Sequence, residues 1–123
     1  MHWMSVALGG ALGAVCRYWV SDSLLPVSNF KFPYATLSVN VVGSLLMGIL
    51  YVIIVEKGGL PEQARHLLMI GFLGAFTTFS TFSLDAISLW QNGGQLMALT
   101  YVISSVVFCL IAIIFAIWLT RLF

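Results

Sequence analysis

Four long apolar runs, at roughly residues 3 to 25, 33 to 55, 67 to 90 and 96 to 119, take up almost the whole sequence. Each is close to the ~20 residues that an α-helix, rising about 1.5 Å per residue, needs to cross the hydrocarbon of a bilayer. Hydrocarbon offers no water to backbone N–H and C=O groups, so such runs are read as helices whose hydrogen bonds close within the segment. The expected architecture is an all-α integral membrane protein with one domain over residues 1–123 and four transmembrane helices. Composition agrees: 61% of residues are hydrophobic and 7% charged, against about a quarter charged in a soluble domain.

The connections are short and carry turn residues: Pro26, Ser28, Asn29, Lys31 and Pro33, then Glu56, Lys57, Gly58, Gly59 and Pro61, then Asn92, Gly93 and Gly94. The first run lacks a basic leader, and Arg17 interrupts it where a cleavage site would follow, so it is read as a retained span rather than a signal peptide. Four crossings put Lys57, Arg65 and Arg121 on one side, with Lys31 and Arg17 toward the other. A bias of three against two barely fixes an orientation under the positive-inside rule, which leaves insertion in both senses open. A net charge of +1 with only five Lys or Arg excludes a nucleic-acid partner, which needs a concentrated basic face. Cys16 and Cys109 lie in apolar runs without ligand-spaced partners and read as small core residues. No carboxylate pair, nucleophile with a base or metal cluster is visible, so an enzyme is not expected.

Gly9 with Gly13, and Ser44 with Gly48, repeat small residues at i, i+4, the spacing that lets membrane helices approach closely. Span 2 carries a polar stripe, Thr36, Asn40, Ser44 and Gly48; span 4 carries Tyr101, Ser105 and Cys109 at the same spacing. One buried amide or hydroxyl is ordinarily a helix contact, but two stripes on two helices suggest a shared wet path. Arg17 is the one basic residue well inside a span; it either raises the local positive potential or reaches the interface beside Tyr18 and Trp19 or pairs with Asp22.

Span 3 resists being a plain helix. Adjacent β-branched Thr77 and Thr78, with Ser80, Thr81 and Ser83, offer hydroxyls that compete for backbone groups, so unwinding is expected between Gly74 and Thr78. Carbonyls freed there are natural cation ligands. Phe76, Phe79 and Phe82 recur every three residues among these hydroxyls. The positive edge of a phenyl ring beside amide and hydroxyl donors can surround a small anion without a full charge.

The run GFLGAFTTFSTFS from Gly71, with GGALGAVCRY in span 1, TLSVNVVGSLLMG in span 2, and Tyr101 with Ser105 in span 4, resembles bacterial fluoride channels of the Fluc (CrcB) family over essentially the whole length. The resemblance implies a passive fluoride exporter of the bacterial inner membrane, a homodimer of oppositely inserted subunits with two pores. Matching its motifs makes Asn40 the pore amide and Phe79 and Phe82 the pore phenylalanines. Thr81, Ser80, Tyr101 and Ser105 fall on the polar track, with Arg17 nearby. It also implies a structural Na⁺ on the dimer axis, held by the backbone carbonyls of Gly74 and Thr77. Two positions depart from the family pattern: Asp85, where Glu is common, and Cys109, where Ser or Thr is usual. The nearest rival, a small four-helix multidrug transporter, needs an acid at mid-membrane, and the spans offer only Asp22 and Asp85, both off-centre.

Overall fold

A computed structural model describes residues 1–24 and 32–123. The turn expected at Pro26, Ser28, Asn29 and Lys31 lies outside the described residues, as does Leu25. All regular structure among them is helical: α1 (His2–Leu24), α2 (Tyr34–Glu56), α3 (62–76), α4 (Phe79–Gln91) and α5 (Gln95–Arg121). The end of α2, from Tyr51, and much of α3, Arg65–Leu73, widen to π-helical turns.

Three stretches, Tyr34–Glu56, Glu62–Gln91 and Gln95–Arg121, are long and apolar enough to cross a membrane. The expected first span, α1, is not among them although it has 23 residues. Gly9, Gly10, Gly13 and Arg17 dilute its apolar side chains.

Those glycines seat α1 on α3. A Cβ at Gly9 would stand 2.0 Å from the Leu67 carbonyl oxygen, and one at Gly13 would stand 2.1 Å from that of Phe72. Gly71 answers from α3, where a Cβ would come within 2.8 Å of Val6 O. Backbone meets backbone here, so a larger residue at any of the three must part the helices.

The polar stripes of α2 and α5 face one another, and the two helices run parallel with residue i of α2 opposite residue i+65 of α5. Thr36 borders Tyr101, Gly48 packs against the Ile113 carbonyl and Ala116, and Arg121 Nε donates to Glu56 Oε2 at 3.0 Å. Between these anchors the same offset sets Asn40 by Ser105 and Ser44 by Cys109.

The third span breaks later than expected. Gly74 stays helical (φ −60, ψ −35) because its N–H keeps Met69 and Gly71 carbonyls as partners, and only Thr77 (φ −82, ψ 158) and Thr78 (φ −152, ψ 121) are extended. The break divides the packing. Leu73 and Phe76 of α3 bury themselves with Val39 of α2, where Cys16 joins as a small core residue; Phe82 and Leu89 of α4 pack instead with Ala98 and Tyr101 of α5.

Candidate ion pathway

Asn40 makes the break. Its Nδ2 donates to the Thr78 carbonyl at 3.0 Å while its Oδ1 accepts from the Thr78 N–H at 2.8 Å, so one side-chain amide meets both backbone groups of one extended residue. In an unbroken helix the Thr78 N–H would return to Gly74 O; here Asn40 holds it. Thr78 then starts α4: its Oγ1 accepts from the Thr81 N–H at 3.2 Å, the usual task of an N-cap threonine. The same hydroxyl lies 3.1 Å from Thr81 Oγ1 and 3.4 Å from Ser80 Oγ. Thr77 folds its own hydroxyl back onto Leu73 O at 2.9 Å. Its methyl sits where a Cβ on Gly43 would have to be, 2.1 Å away, so α2 needs glycine there for the break to fit.

Gly74 O and Thr77 O, the two carbonyls expected to hold sodium, thus lose their helix donors, since Thr78 N–H is taken by Asn40 and Thr81 N–H by Thr78 Oγ1. Backbone oxygens without a helix donor are ligands a hard cation takes; Gly74 O fits the ion, and Thr77 O, which also accepts from Arg17, has one lone pair left for it. Arg17 does not pair with Asp22 among the described contacts; its Nη1 donates to Thr77 O at 3.4 Å, which ties α1 to the break and brings a positive charge beside it.

Below the break lies a cavity of about 310 Å³ between α2, α4 and α5. Of the residues singled out in the sequence, Asn40, Ser44, Thr77, Thr78, Phe79, Phe82, Ser105 and Cys109 line it, with Met47 among the others. Ser105 is 5% exposed, and its Oγ has no hydrogen-bond partner among the described residues. An amide nitrogen carries two N–H groups; Asn40 commits one to Thr78. Thr81 and Ser80 are exposed and belong to the α4 cap rather than to this cavity wall.

Phe82 is buried on the cavity wall. Its ring lies 5.5 Å from that of Phe79 and 5.2 Å from that of Tyr101. Tyr101 is fully buried, and its hydroxyl donates to Asp85 Oδ2 at 3.2 Å. Asp85 in turn lines a second cavity, of about 680 Å³, with Pro33, Ser88 and Asn92. Phe82 and Tyr101 are therefore an aromatic contact that links the wall of the first cavity, through the Tyr101 hydroxyl, to Asp85 on the wall of the second.

The profile of the CrcB-like protein (camphor resistance, CrcB) family matches residues 4–117. The chain belongs to the CrcB family. Among relatives, it is 57% identical over 119 residues to a fluoride-specific ion channel FluC of Saccharophagus degradans, covering 97% of this chain and 89% of that protein. It is 53% identical over 121 residues to a protein of the same description from Hahella chejuensis, covering 98% and 95%. A third, from Magnetococcus marinus, is 47% identical over 107 residues, covering 87% of each. The CrcB match spans α1 as well as the three strongly apolar stretches, so the Arg17 contact and the glycine seat fall within it.

Sequence reasoning had found Asn40, Ser105 and the phenylalanines from stripes and spacing. It had missed Thr78 as the residue Asn40 holds, Gly43 as the space for Thr77, and Met47 on the cavity wall. A glycine one turn along the Asn40 stripe was the signal available for Gly43; nothing local marks the others.

Proposed function

We propose that this CrcB-family chain is a fluoride-selective passive channel that exports F⁻ from a bacterial cytoplasm across the inner membrane, with all four apolar segments, α1 included, spanning the bilayer. The observation that carries the reading is one cavity lined by Asn40, Ser105, Phe79 and Phe82, with a buried Ser105 hydroxyl that no described residue satisfies. It is supported by relatives described as fluoride-specific channels at up to 57% identity.

Fluoride crosses membranes as neutral hydrogen fluoride from acidic surroundings, ionises in a near-neutral cytoplasm and is trapped. A passive leak removes it, because an inside-negative potential drives the anion outward at ~2.3 kcal/mol per charge per 100 mV. Fluoride is small and strongly hydrated, so the wall must replace water with donors: the free Asn40 N–H, the Ser105 hydroxyl and the positive ring edges of Phe79 and Phe82. These groups are uncharged and hold the ion loosely enough for release. A close fit of the anion between the Phe79 and Phe82 ring edges would disfavour bulkier chloride.

The working unit is two copies in opposite orientation, each contributing to a pore. Phe79, on the cavity wall, is 79% exposed on the single chain, so a second copy would complete the passage, and the weak charge bias suits dual insertion. Gly74 and Thr77 of both copies would hold a structural Na⁺, which supplies a fixed positive charge at the dimer axis. Arg17, already bonded to Thr77 O, keeps that region positive from the α1 side.

Expression in bacteria that lack their own fluoride exporter tests the reading in the cell. Growth in fluoride at acidic pH is expected to return, with a lower internal fluoride content. Unchanged sensitivity in cells whose membranes contain the protein would refute it.

A further inference from the structure

His2 opens α1 and His66 lies near the start of α3, and their imidazole rings stack with centroids 4.3 Å apart and planes 29° apart. The two helices run parallel from this end, and the glycine seat fixes their separation. Leu67, next to His66, sets its carbonyl against Gly9, and Val6, one turn on from His2, sets its own against Gly71. Backbone packing between two helices, not a loop, therefore holds the rings together. His66 also has its tautomer decided. Its Nδ1 lies 2.9 Å from the Glu62 carbonyl oxygen; a carbonyl only accepts, so Nδ1 carries the hydrogen and the neutral ring keeps its lone pair on Nε2. A ring N–H given to a backbone carbonyl is the contact that orients imidazoles for metal ligation. Two nitrogens bound to one Zn²⁺ at about 2.0–2.1 Å stand roughly 3–3.5 Å apart, a spacing that two rings already in contact reach by turning about their Cβ–Cγ bonds. His2 is exposed and His66 half-buried, so an ion has access from water.

We propose that His2 and His66 form a binding site for a borderline divalent metal ion, Zn²⁺ or Cu²⁺, at the end of the α1–α3 seat where both helices start. Imidazole nitrogen suits these ions, whereas Mg²⁺ and Ca²⁺ take oxygen. His66 gives the Nε2 lone pair and His2 one ring nitrogen; both rings are neutral, so no proton leaves and no electron is transferred. Among the described residues no third His, Cys, Asp or Glu joins the pair, so water completes the coordination. The bound ion bridges α1 and α3, the helices whose close seat brings Arg17 to the Thr77 carbonyl. Occupancy therefore clamps that seat at its open end. Neither histidine lines the cavity of Asn40 and Ser105, and the site does not depend on the channel reading.

Zinc sulfate is the probe, on full-length protein purified without a polyhistidine tag. Calorimetry should show one zinc ion bound per chain, and the Tm of the detergent-solubilised protein should rise with zinc. Magnesium sulfate at the same concentration should do neither. His2→Gln and His66→Gln each remove an imidazole and keep a polar side chain, so without zinc both variants should match the parent in size-exclusion profile. Each alone should lose zinc binding and the rise in Tm at concentrations that saturate the parent, and the double variant should do no worse than either. Electron paramagnetic resonance of the parent with Cu²⁺ counts the ligands independently of any substitution, and two imidazole nitrogens on one copper are expected.

Zinc binding that survives either single substitution needs only one of the two helices, or lies elsewhere, and would overturn the shared site. A parent that binds no zinc, or whose Tm responds to magnesium as it does to zinc, would overturn it equally. Should a variant fail to fold, the copper spectrum decides: fewer than two imidazole nitrogens on the ion would refute the pair.

Discussion

Asn40→Asp is expected to abolish fluoride efflux while the protein still purifies as the parent assembly. The substitution changes one atom of the amide and almost none of its volume, but it acts twice. The Nδ2 donor to the Thr78 carbonyl disappears, leaving two acceptors face to face where a 3.0 Å hydrogen bond had been. A carboxylate also stands on the wall of the cavity the anion must enter. At 4 Å and an effective dielectric constant near 20, two like unit charges repel by about 4 kcal/mol, roughly a thousandfold in the occupancy of the site. The Thr78 N–H keeps its bond to the remaining oxygen, so the break should survive. Efflux near the parental rate, measured by a fluoride electrode, would remove Asn40 from the pathway.

Phe82→Ile separates ring chemistry from packing. Phe82 is 9% exposed and touches the rings of both Phe79 and Tyr101. Isoleucine fills much of the space, and the lost aromatic pairs amount to about 0.5–1.5 kcal/mol each, small enough for folding to persist. What vanishes is the positive ring edge on the cavity wall. The expected result is a protein of normal size-exclusion profile, slightly lower Tm and no fluoride flux. Normal flux with the same loss of Tm would make Phe82 a packing residue only.

Much of this was legible in the sequence because membranes make periodicity plain. The spacing Thr36, Asn40, Ser44 and Tyr101, Ser105, Cys109 marked two helix faces, and the structure sets them against each other at a constant offset. Adjacent Thr77 and Thr78 marked the break, though not its limits. Gly74 looked like a place to unwind, yet a glycine remains helical when its N–H keeps its partners; what opens the helix is the amide of Asn40, 38 residues away. No local pattern encodes a capture of that range. Arg17 shows the same limit. Asp22 was its near neighbour in sequence, but the carbonyl of Thr77, 60 residues on, is its partner once glycine lets α1 lie on α3. Likewise the pairing of Tyr101 with Asp85 depends on how α4 turns after the break, which only the packed helices decide.

Uncharged donors around Asn40 and Ser105, with the Phe79 and Phe82 ring edges, are expected to pass fluoride and refuse chloride. Purified protein in liposomes, with a potassium ionophore clamping the potential, puts fluoride and chloride efflux on one scale. Rapid fluoride release, chloride release at the rate of protein-free liposomes, and no dependence on a proton gradient are the predicted results. Equal release of both anions, or release of neither, would contradict the account.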